Sequence, residues 1–156
     1  MKIKPAQSAA AAVAIALAAL WAPSAGAQSG PQPALPTVRL TAGGMYMIQA
    51  EVARTPEQRA TGMMFRTEMA PNAGMLFVFE QDAPHCFWMQ NTLLPLSIAF
   101  IGADGTVVDT AEMQPRSTEN HCASKPVRYA LEMNKGWFAR HGIKPGSRLA
   151  GAPFGS

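Results

Sequence analysis

Two His-Cys pairs are the residues of this sequence whose types most directly indicate chemistry. His85 is followed by Cys86, and His121 is followed by Cys122. Two imidazoles and two thiolates can form a tetrahedral zinc or copper site. The ligands of such sites are typically about two to four residues apart, whereas adjacent residues on a strand point to opposite faces of the sheet. The pattern therefore favours a Cys86–Cys122 disulfide, with free thiols or a metal site formed by the four residues as the alternatives.

A second group consists of three polar residues embedded in apolar stretches, namely Arg66, Asn91 and Glu132. A buried carboxylate needs a partner, and arginine binds carboxylates through two parallel hydrogen bonds. We therefore expect Arg66 and Glu132 to form a buried ion pair, or a cap, that fixes the loop after the first helix. The functional alternative is that Arg66 binds an anionic group in a groove beside Trp88, with Asn91 orienting that group.

Trp88 lies between Phe87 and Met89, and on a strand its side chain faces away from theirs. Aromatic stripes in small β domains usually belong to the core, so we expect Trp88 in a second buried layer under the helix. The alternative is an exposed aromatic platform for a sugar or a peptide. The candidate binding groove consists of Arg66, Trp88, Asn91 and Glu132.

Signatures of catalysis and of cofactor binding are missing from the sequence. It has no Gly-x-Ser-x-Gly elbow, no His-Glu-x-x-His helix and no phosphate loop. We therefore assign no catalytic residue, expect no cofactor and favour a non-enzymatic function. The alternative is an envelope enzyme, for example a hydrolase, that uses Glu132 or a histidine together with Asn91.

The N-terminus has the three parts of a Sec-type signal peptide. Lys2 and Lys4 form a positive region, residues 9–20 form an apolar run shorter than a membrane helix needs, and residues 25–27 are small. We expect cleavage after Ala27, a periplasmic or secreted location, and no stable membrane span after cleavage. Two cysteines in a small domain usually pair in such an oxidising compartment.

The mature chain is nearly neutral. The signal carries two of the 13 Lys and Arg residues and none of the 10 Asp and Glu residues, which leaves a net charge near +1. No basic run remains, so nucleic acid is disfavoured as a partner. The expected partner is a small molecule or a protein of the cell envelope.

Composition divides the chain into four segments. Residues 1–27 are the signal peptide, and residues 28–36, with three prolines, read as a flexible Pro-rich leader. Residues 37–152 form a single β-rich globular domain, and residues 153–156 form a tail.

Turn signals and apolar alternation predict about seven strands and two short helices in this domain. The first helix begins at Thr55, where Pro56 and Gln58 complete a capping box. The second covers residues 136–141, and His141 caps its C-terminal end. The fold class is mostly β (α+β), a small curled antiparallel sheet or barrel-like domain. The predicted strands are 38–41, 46–52, 75–80, 86–90, 96–102, 106–113 and 127–133, with 148–150 as a candidate last strand.

Several runs of the domain together resemble a known family. They are Gly62 to Arg66, Gly74 to Phe79, the string Phe87 to Ile101, Asp104-Gly105, Tyr129 to Glu132 and Gly136-Trp137. From about Thr37 to Leu149, the chain resembles the uncharacterised exported family catalogued as domain of unknown function 192. The resemblance implies a small β-rich domain with a helix packed on one side, and no substrate, cofactor or reaction is established for that family. The position after Met89 is more often Lys in the family but is Gln90 here, so no role that needs a cation there carries over.

The sequence thus predicts a non-catalytic, exported binding or accessory module of the cell envelope, whose ligand it does not identify. The envelope enzyme is one alternative. A soft-metal protein that binds copper or zinc is the other, and nine methionines of the mature chain could add soft ligands to the His-Cys pairs. Methionine is more often a gap-filler of the core.

Overall fold

The computed structural model of the chain describes residues 29–154, so the predicted signal peptide, its cleavage after Ala27 and the last two residues of the tail lie outside the described residues. Within this range, the bounds of the strands and helices are β1 (Thr37–Ala42), β2 (Tyr46–Ala53), α1 (Pro56–Thr61), β3 (Ala73–Ala83), β4 (Cys86–Phe87), β5 (Leu96–Ile101), β6 (Val107–Met113), β7 (His121–Cys122), β8 (Val127–Asn134), α2 (Trp137–Arg140) and β9 (Leu149–Ala150).

Seven of these strands form one curled sheet, in the order β6-β5-β8-β3-β2-β1-β9, while β4 and β7 pair separately. Neighbouring strands are antiparallel except β2 and β3, which run parallel. They can do so because α1 and the loop after it carry the chain back to the edge of the sheet at which β2 began. The two ends of the sheet approach each other, since Thr106 bridges Arg148 and the Val107 N–H donates to the Ser147 carbonyl at 2.8 Å. The prediction of a mostly β domain with a small curled sheet and two short helices is confirmed.

Helix α1 begins at the predicted cap Thr55, and α2, predicted over residues 136–141, covers Trp137–Arg140. The Thr55 hydroxyl accepts from the Gln58 N–H at 3.2 Å, and the Gln58 side chain accepts from the Thr55 N–H at 3.1 Å. Gly62, with φ +49°, ends α1. His141 ends α2, and its Nδ1 lies 2.7 Å from the Trp137 carbonyl oxygen. Among residues 29–154, no helix has the length and apolarity needed to cross a bilayer.

Apolar clusters cover both faces of the sheet. Trp137 and Phe138 of α2 pack on one face, while Met63 after α1 and Met89 after β4 belong to the cluster on the other face. The strand β8 lies between β5 and β3 at the centre of the sheet. Every residue from Tyr129 to Met133 is therefore buried, whichever face it points to.

The predicted strand 86–90 is shorter in the structure. Only Cys86 and Phe87 pair, because their partner β7 is itself two residues long. The chain then leaves the ladder, and the Met89 N–H donates to the Ser117 carbonyl at 2.9 Å. As a result, Trp88, which lies between Phe87 and Met89, is outside any sheet.

The end of the Pro-rich leader contacts the domain. The Gln32 side-chain amide donates to the Gln58 carbonyl at 3.1 Å and to the Gly62 carbonyl at 2.9 Å, at the C-terminal end of α1. The Leu35 N–H donates to the Glu51 carboxylate at 2.8 Å. These bonds place this segment beside α1 and β2, and the one to Gly62 satisfies a carbonyl that the end of the helix leaves free.

Candidate functional site

A cavity of about 240 Å³ lies between α1 and β4, over the face of the sheet that carries Met63 and Met89. We call it the Glu132 pocket. The end of α1 and the turn after it line one side, and residues 86–88 line another. The sheet contributes Phe77, Phe79 and Glu132. Two of the four predicted groove residues, Trp88 and Glu132, therefore meet in one cavity.

Glu132 is the buried acid of this pocket. Its directly paired neighbours are Met75 on β3 and Ile98 on β5, so its own face of the sheet is apolar on both sides. The residue is 4% exposed, and its carboxyl makes no hydrogen bond within the described chain. Burial penalises the charged form and raises the pKa of Glu132 to about 8. At pH 7 the group is therefore mainly a neutral acid, able to donate one hydrogen bond and to accept others.

The predicted pairing of Arg66 with Glu132 is wrong. Arg66 donates to both carboxylate oxygens of Glu51 on β2, with 2.8 Å between Nη2 and Oε2. The strand β3 separates β2 from β8, so this pair lies two strands away from Glu132. The hydrogen bond from Arg66 holds the pKa of Glu51 below its usual value. Arg66 thus lies outside the Glu132 pocket and is engaged in a structural ion pair.

Asn91 lies beside the pocket and does not line it. Its side chain is exposed, with Nδ2 3.9 Å from the sulfur of Met64. Its carbonyl accepts from the N–H of Phe65, at 2.9 Å, in the turn where Phe65 has φ +62°. The residue therefore holds the turn after α1. The functional alternative, in which Asn91 orients an anion on Arg66, does not fit, because Arg66 is occupied by Glu51.

Trp88 is exposed, contrary to the expectation of a second buried layer. The residue keeps 49% of its surface accessible, whereas its neighbour Met89 is fully buried. The reason is the short β4, which ends before Trp88 and leaves no second layer to cover it. Trp88 therefore forms part of the pocket and also of the outer surface, as the alternative of an aromatic platform required.

Aromatic rings and one arginine complete the pocket, and sequence reasoning missed them. The rings of Phe77 and Phe87 meet edge to face, with centroids 4.9 Å apart. The Arg59 guanidinium lies 5.2 Å from the ring centroid of Phe79 and binds both oxygens of Glu80 at 3.1 Å. The capping box places Arg59 on α1, but no local pattern connects it to β3, some 20 residues later in the chain.

The His-Cys pairs form a disulfide and do not form the alternative metal site. Cys86 and Cys122 are directly opposite in the β4–β7 ladder and are bonded to each other, so neither sulfur remains as a ligand. His85 stacks on Phe79 with centroids 3.5 Å apart, and His121 lies on the neighbouring strand. Across residues 29–154, no group of three or more His, Cys, Asp or Glu side chains could hold a metal ion. The disulfide borders the Glu132 pocket at Cys86.

The arrangement has the chemistry of a binding site for a small ligand. Apolar and aromatic side chains supply surface for burial, and a neutral acid, with Thr61 and Thr92 in the same lining, supplies a directional polar contact. The pocket-lining arginine is already neutralised by Glu80. No second carboxylate and no histidine line this pocket among the described residues.

Comparisons with known proteins agree with this fold. A crystal structure described as a putative transcription regulator from Sinorhizobium meliloti 1021 is 38% identical, with a TM-score of 0.75, and the match covers 78% of this chain and 98% of that one. The crystal structure of a protein of unknown function from Novosphingobium aromaticivorans DSM 12444 is 36% identical, with a TM-score of 0.72, and covers 80% and 94%. No curated protein is significantly similar to the chain.

The family resemblance noted in the sequence is confirmed at the level of the whole domain. The family DUF192, described as "Uncharacterized ACR", matches residues 38–151, which include every strand but part of β1. That range also contains all the residues that line the Glu132 pocket. On these grounds the chain belongs to the DUF192 family.

Proposed function

We propose that this protein is an exported binding module of the cell envelope that takes a small ligand into the Glu132 pocket. The observation that carries the proposal is the Glu132 carboxyl, which is buried at the wall of the cavity and has no hydrogen-bond partner among residues 29–154. A residue with only a structural role at this position would be apolar, like its paired neighbours Met75 and Ile98. A buried acid without a partner destabilises the fold, and a ligand can offset that cost by supplying the missing hydrogen bonds.

Two features support the exported location. The N-terminal 27 residues have the charge and apolarity pattern of a Sec-type signal peptide. The Cys86–Cys122 disulfide is typical of proteins that fold in an oxidising compartment.

The relative from Sinorhizobium meliloti is described as a putative transcription regulator. The near-neutral charge expected of the mature chain and the lack of a basic run argue against nucleic acid as its partner.

The pocket can be tested by nuclear magnetic resonance, with a panel of small neutral, cationic and anionic aromatic molecules. We expect saturable shifts of the backbone amides of Gly62, Phe87 and Trp88 with at least one class. Ala60 is exposed on α1 and lines the pocket, so Ala60→Trp fills its entrance without disturbing the core.

The matched control is Ala139→Trp, which adds the same side chain at an exposed position of α2, away from the pocket. The control keeps the shifts, and Ala60→Trp loses them. Shifts that persist in Ala60→Trp, or a panel that produces no saturable shift at all, would contradict the proposed function.

A second function, that of an envelope hydrolase, is favoured by one specific observation. A carboxyl whose pKa is raised to about 8 in a cleft has the protonation state of a general acid. The described pocket residues supply no second titratable group to act as the base, so we rank binding first. Chromogenic ester and glycoside substrates distinguish the two functions. If the protein is a hydrolase, the wild type turns over at least one of these substrates and Glu132→Gln does not. If it is a binding module, the wild type and Glu132→Gln give the same background rate.

A further inference from the structure

We propose that the Glu132 pocket takes an organic cation, an ammonium or amidinium group on an apolar body, with the cationic group beside the Glu132 carboxyl. This inference rests on the proposed function and adds the chemical class of the ligand. It follows from three properties of the pocket: the missing partner of its acid, the aromatic side chains that line it and the engagement of the nearby arginines.

The acid lacks a positive partner because the arginines near it are committed elsewhere. Arg59 binds Glu80 through two hydrogen bonds and also donates to the Val78 carbonyl at 2.9 Å. Arg66 binds Glu51 two strands away. A ligand that brings its own positive charge and N–H donors therefore meets a carboxyl that no cation of the described chain satisfies.

Four aromatic side chains line the same cavity, namely Phe77, Phe79, Phe87 and Trp88. Aromatic rings attract cations through their quadrupole and at the same time bury apolar surface. One of these rings, Phe79, already holds a cation in this way, since the Arg59 guanidinium lies 5.2 Å from its centroid. An ammonium or amidinium group on an apolar body fits both the rings and the acid.

Other ligand classes fit less well. An anion could accept one hydrogen bond from the protonated Glu132 carboxyl but would meet no free positive charge, because the only cationic side chain that lines this described pocket is already paired with Glu80. A purely apolar ligand would leave the carboxyl without a partner and would bury it more deeply. The pocket therefore selects for positive charge.

Cation binding has a proton signature. In the empty pocket, burial raises the pKa of Glu132 to about 8, so the acid keeps its proton at neutral pH. A bound cation stabilises the carboxylate and lowers this pKa, so binding releases a proton. Below pH 8, the affinity for the cation is then expected to rise by about tenfold per pH unit.

Three probes of similar size and shape test the inference: 2-phenylethylamine, 2-phenylethanol and 3-phenylpropanoate. Isothermal titration of the mature protein, in two buffers with different ionisation enthalpies, measures the affinity and the protons released. We expect the amine to bind at least about tenfold more tightly than the alcohol at neutral pH and to release close to one proton. We expect Glu132→Gln to bind the alcohol with unchanged affinity and to bind the amine no more tightly than the alcohol.

The other outcomes separate the two proposals. If 2-phenylethanol or 3-phenylpropanoate binds as tightly as 2-phenylethylamine, or if binding of the amine releases no proton, the cationic ligand is ruled out while the pocket remains a ligand site. If the amine binds equally well to Ala60→Trp, the site lies elsewhere and the inference is overturned. If none of the three probes binds up to its solubility limit, both this inference and the proposed function fail.

Discussion

Arg66 holds Glu51 through two parallel hydrogen bonds, and the pair joins the loop after α1 to the strand β2. Both side chains are largely buried, at 19% and 17% exposed. Glu51 also accepts the backbone N–H of Leu35, so the same carboxylate fixes the end of the leader. This contact, rather than the predicted one to Glu132, decides what a substitution of Arg66 would do.

The substitution Arg66→Ala should destabilise the protein without abolishing ligand binding at the Glu132 pocket. We expect the free energy of unfolding in urea to fall by about 2 kcal/mol, less than for a fully buried pair, because both side chains keep some contact with water. The control is Arg128→Ala, since the Arg128–Asp82 pair is much more exposed and its loss should change stability far less. Equal effects of the two substitutions would show that the Arg66–Glu51 pair contributes no special stability.

The stability of the wild type should fall as the pH rises from about 5 to about 8. The pKa of Glu132 is about 8 in the folded protein and near 4.5 in the unfolded chain. In this interval the unfolded chain loses a proton that the folded protein keeps, so alkaline conditions favour unfolding. The loss between pH 5 and pH 7 should be roughly 3 kcal/mol, an upper value because other groups also titrate.

Glu132→Gln should remove this slope, because an amide of the same size does not titrate. Chemical denaturation at several pH values measures it, and Glu119→Gln, at an exposed position, is the matched control that keeps the wild-type slope. Below about pH 4.5 both variants should lose stability in the same way. There the Glu51 carboxylate, whose pKa is lowered by Arg66, takes up a proton and loses its ion pair. A slope that survives in Glu132→Gln would assign the pH dependence to another group.

The two tryptophans of the described domain should respond in opposite ways to substitution. Trp137 is 1% exposed and its indole N–H donates to Asn72 at 3.1 Å, so Trp137→Ala should cost about 3–5 kcal/mol of unfolding free energy. Trp88→Ala, at a half-exposed position, should change stability by less than about 1 kcal/mol and should weaken ligand binding. Thermal unfolding and the titration of the pocket ligand measure the two effects. A large loss of stability in Trp88→Ala would mean that this side chain is structural.

The disulfide should contribute a large part of the stability of the domain. It closes a loop with a sequence separation of 36, and in the chain-entropy description its removal costs about 3–4 kcal/mol. The double substitution Cys86→Ser and Cys122→Ser tests this in urea without a reductant. Because Cys86 borders the Glu132 pocket, the same variant should also bind the pocket ligand more weakly. A variant as stable as the wild type would show that the cross-link adds nothing to the β4–β7 ladder.

Export can be checked by the intact mass of protein purified from the periplasm and alkylated without reduction. We expect a chain that starts at Gln28, lacks two hydrogens and carries no alkyl group. A mass that still includes residues 1–27 would contradict cleavage after Ala27, and two alkyl groups would mean that the thiols are free.

Local patterns were sufficient for most of the elements. The capping box at Thr55, the Asp104-Gly105 turn and the apolar runs of β3 and β5 are properties of neighbouring residues, and the structure contains each of them. The short β4 could not be predicted, because its length depends on β7, which lies 34 residues later in the chain and is itself only two residues long.

The sequence by itself determined that residues from about 37 to 149 form a small β-rich DUF192 domain, that its cysteines are suited to pair, and that Arg66, Trp88, Asn91 and Glu132 are candidates for the working surface. Only the tertiary structure decided the partners. It paired Arg66 with Glu51, left Glu132 without a partner in the described part of the chain, and exposed Trp88. The physical reason is that a side chain's partner depends on the order of strands and on the layers that cover each face, and these bring together residues far apart in the chain.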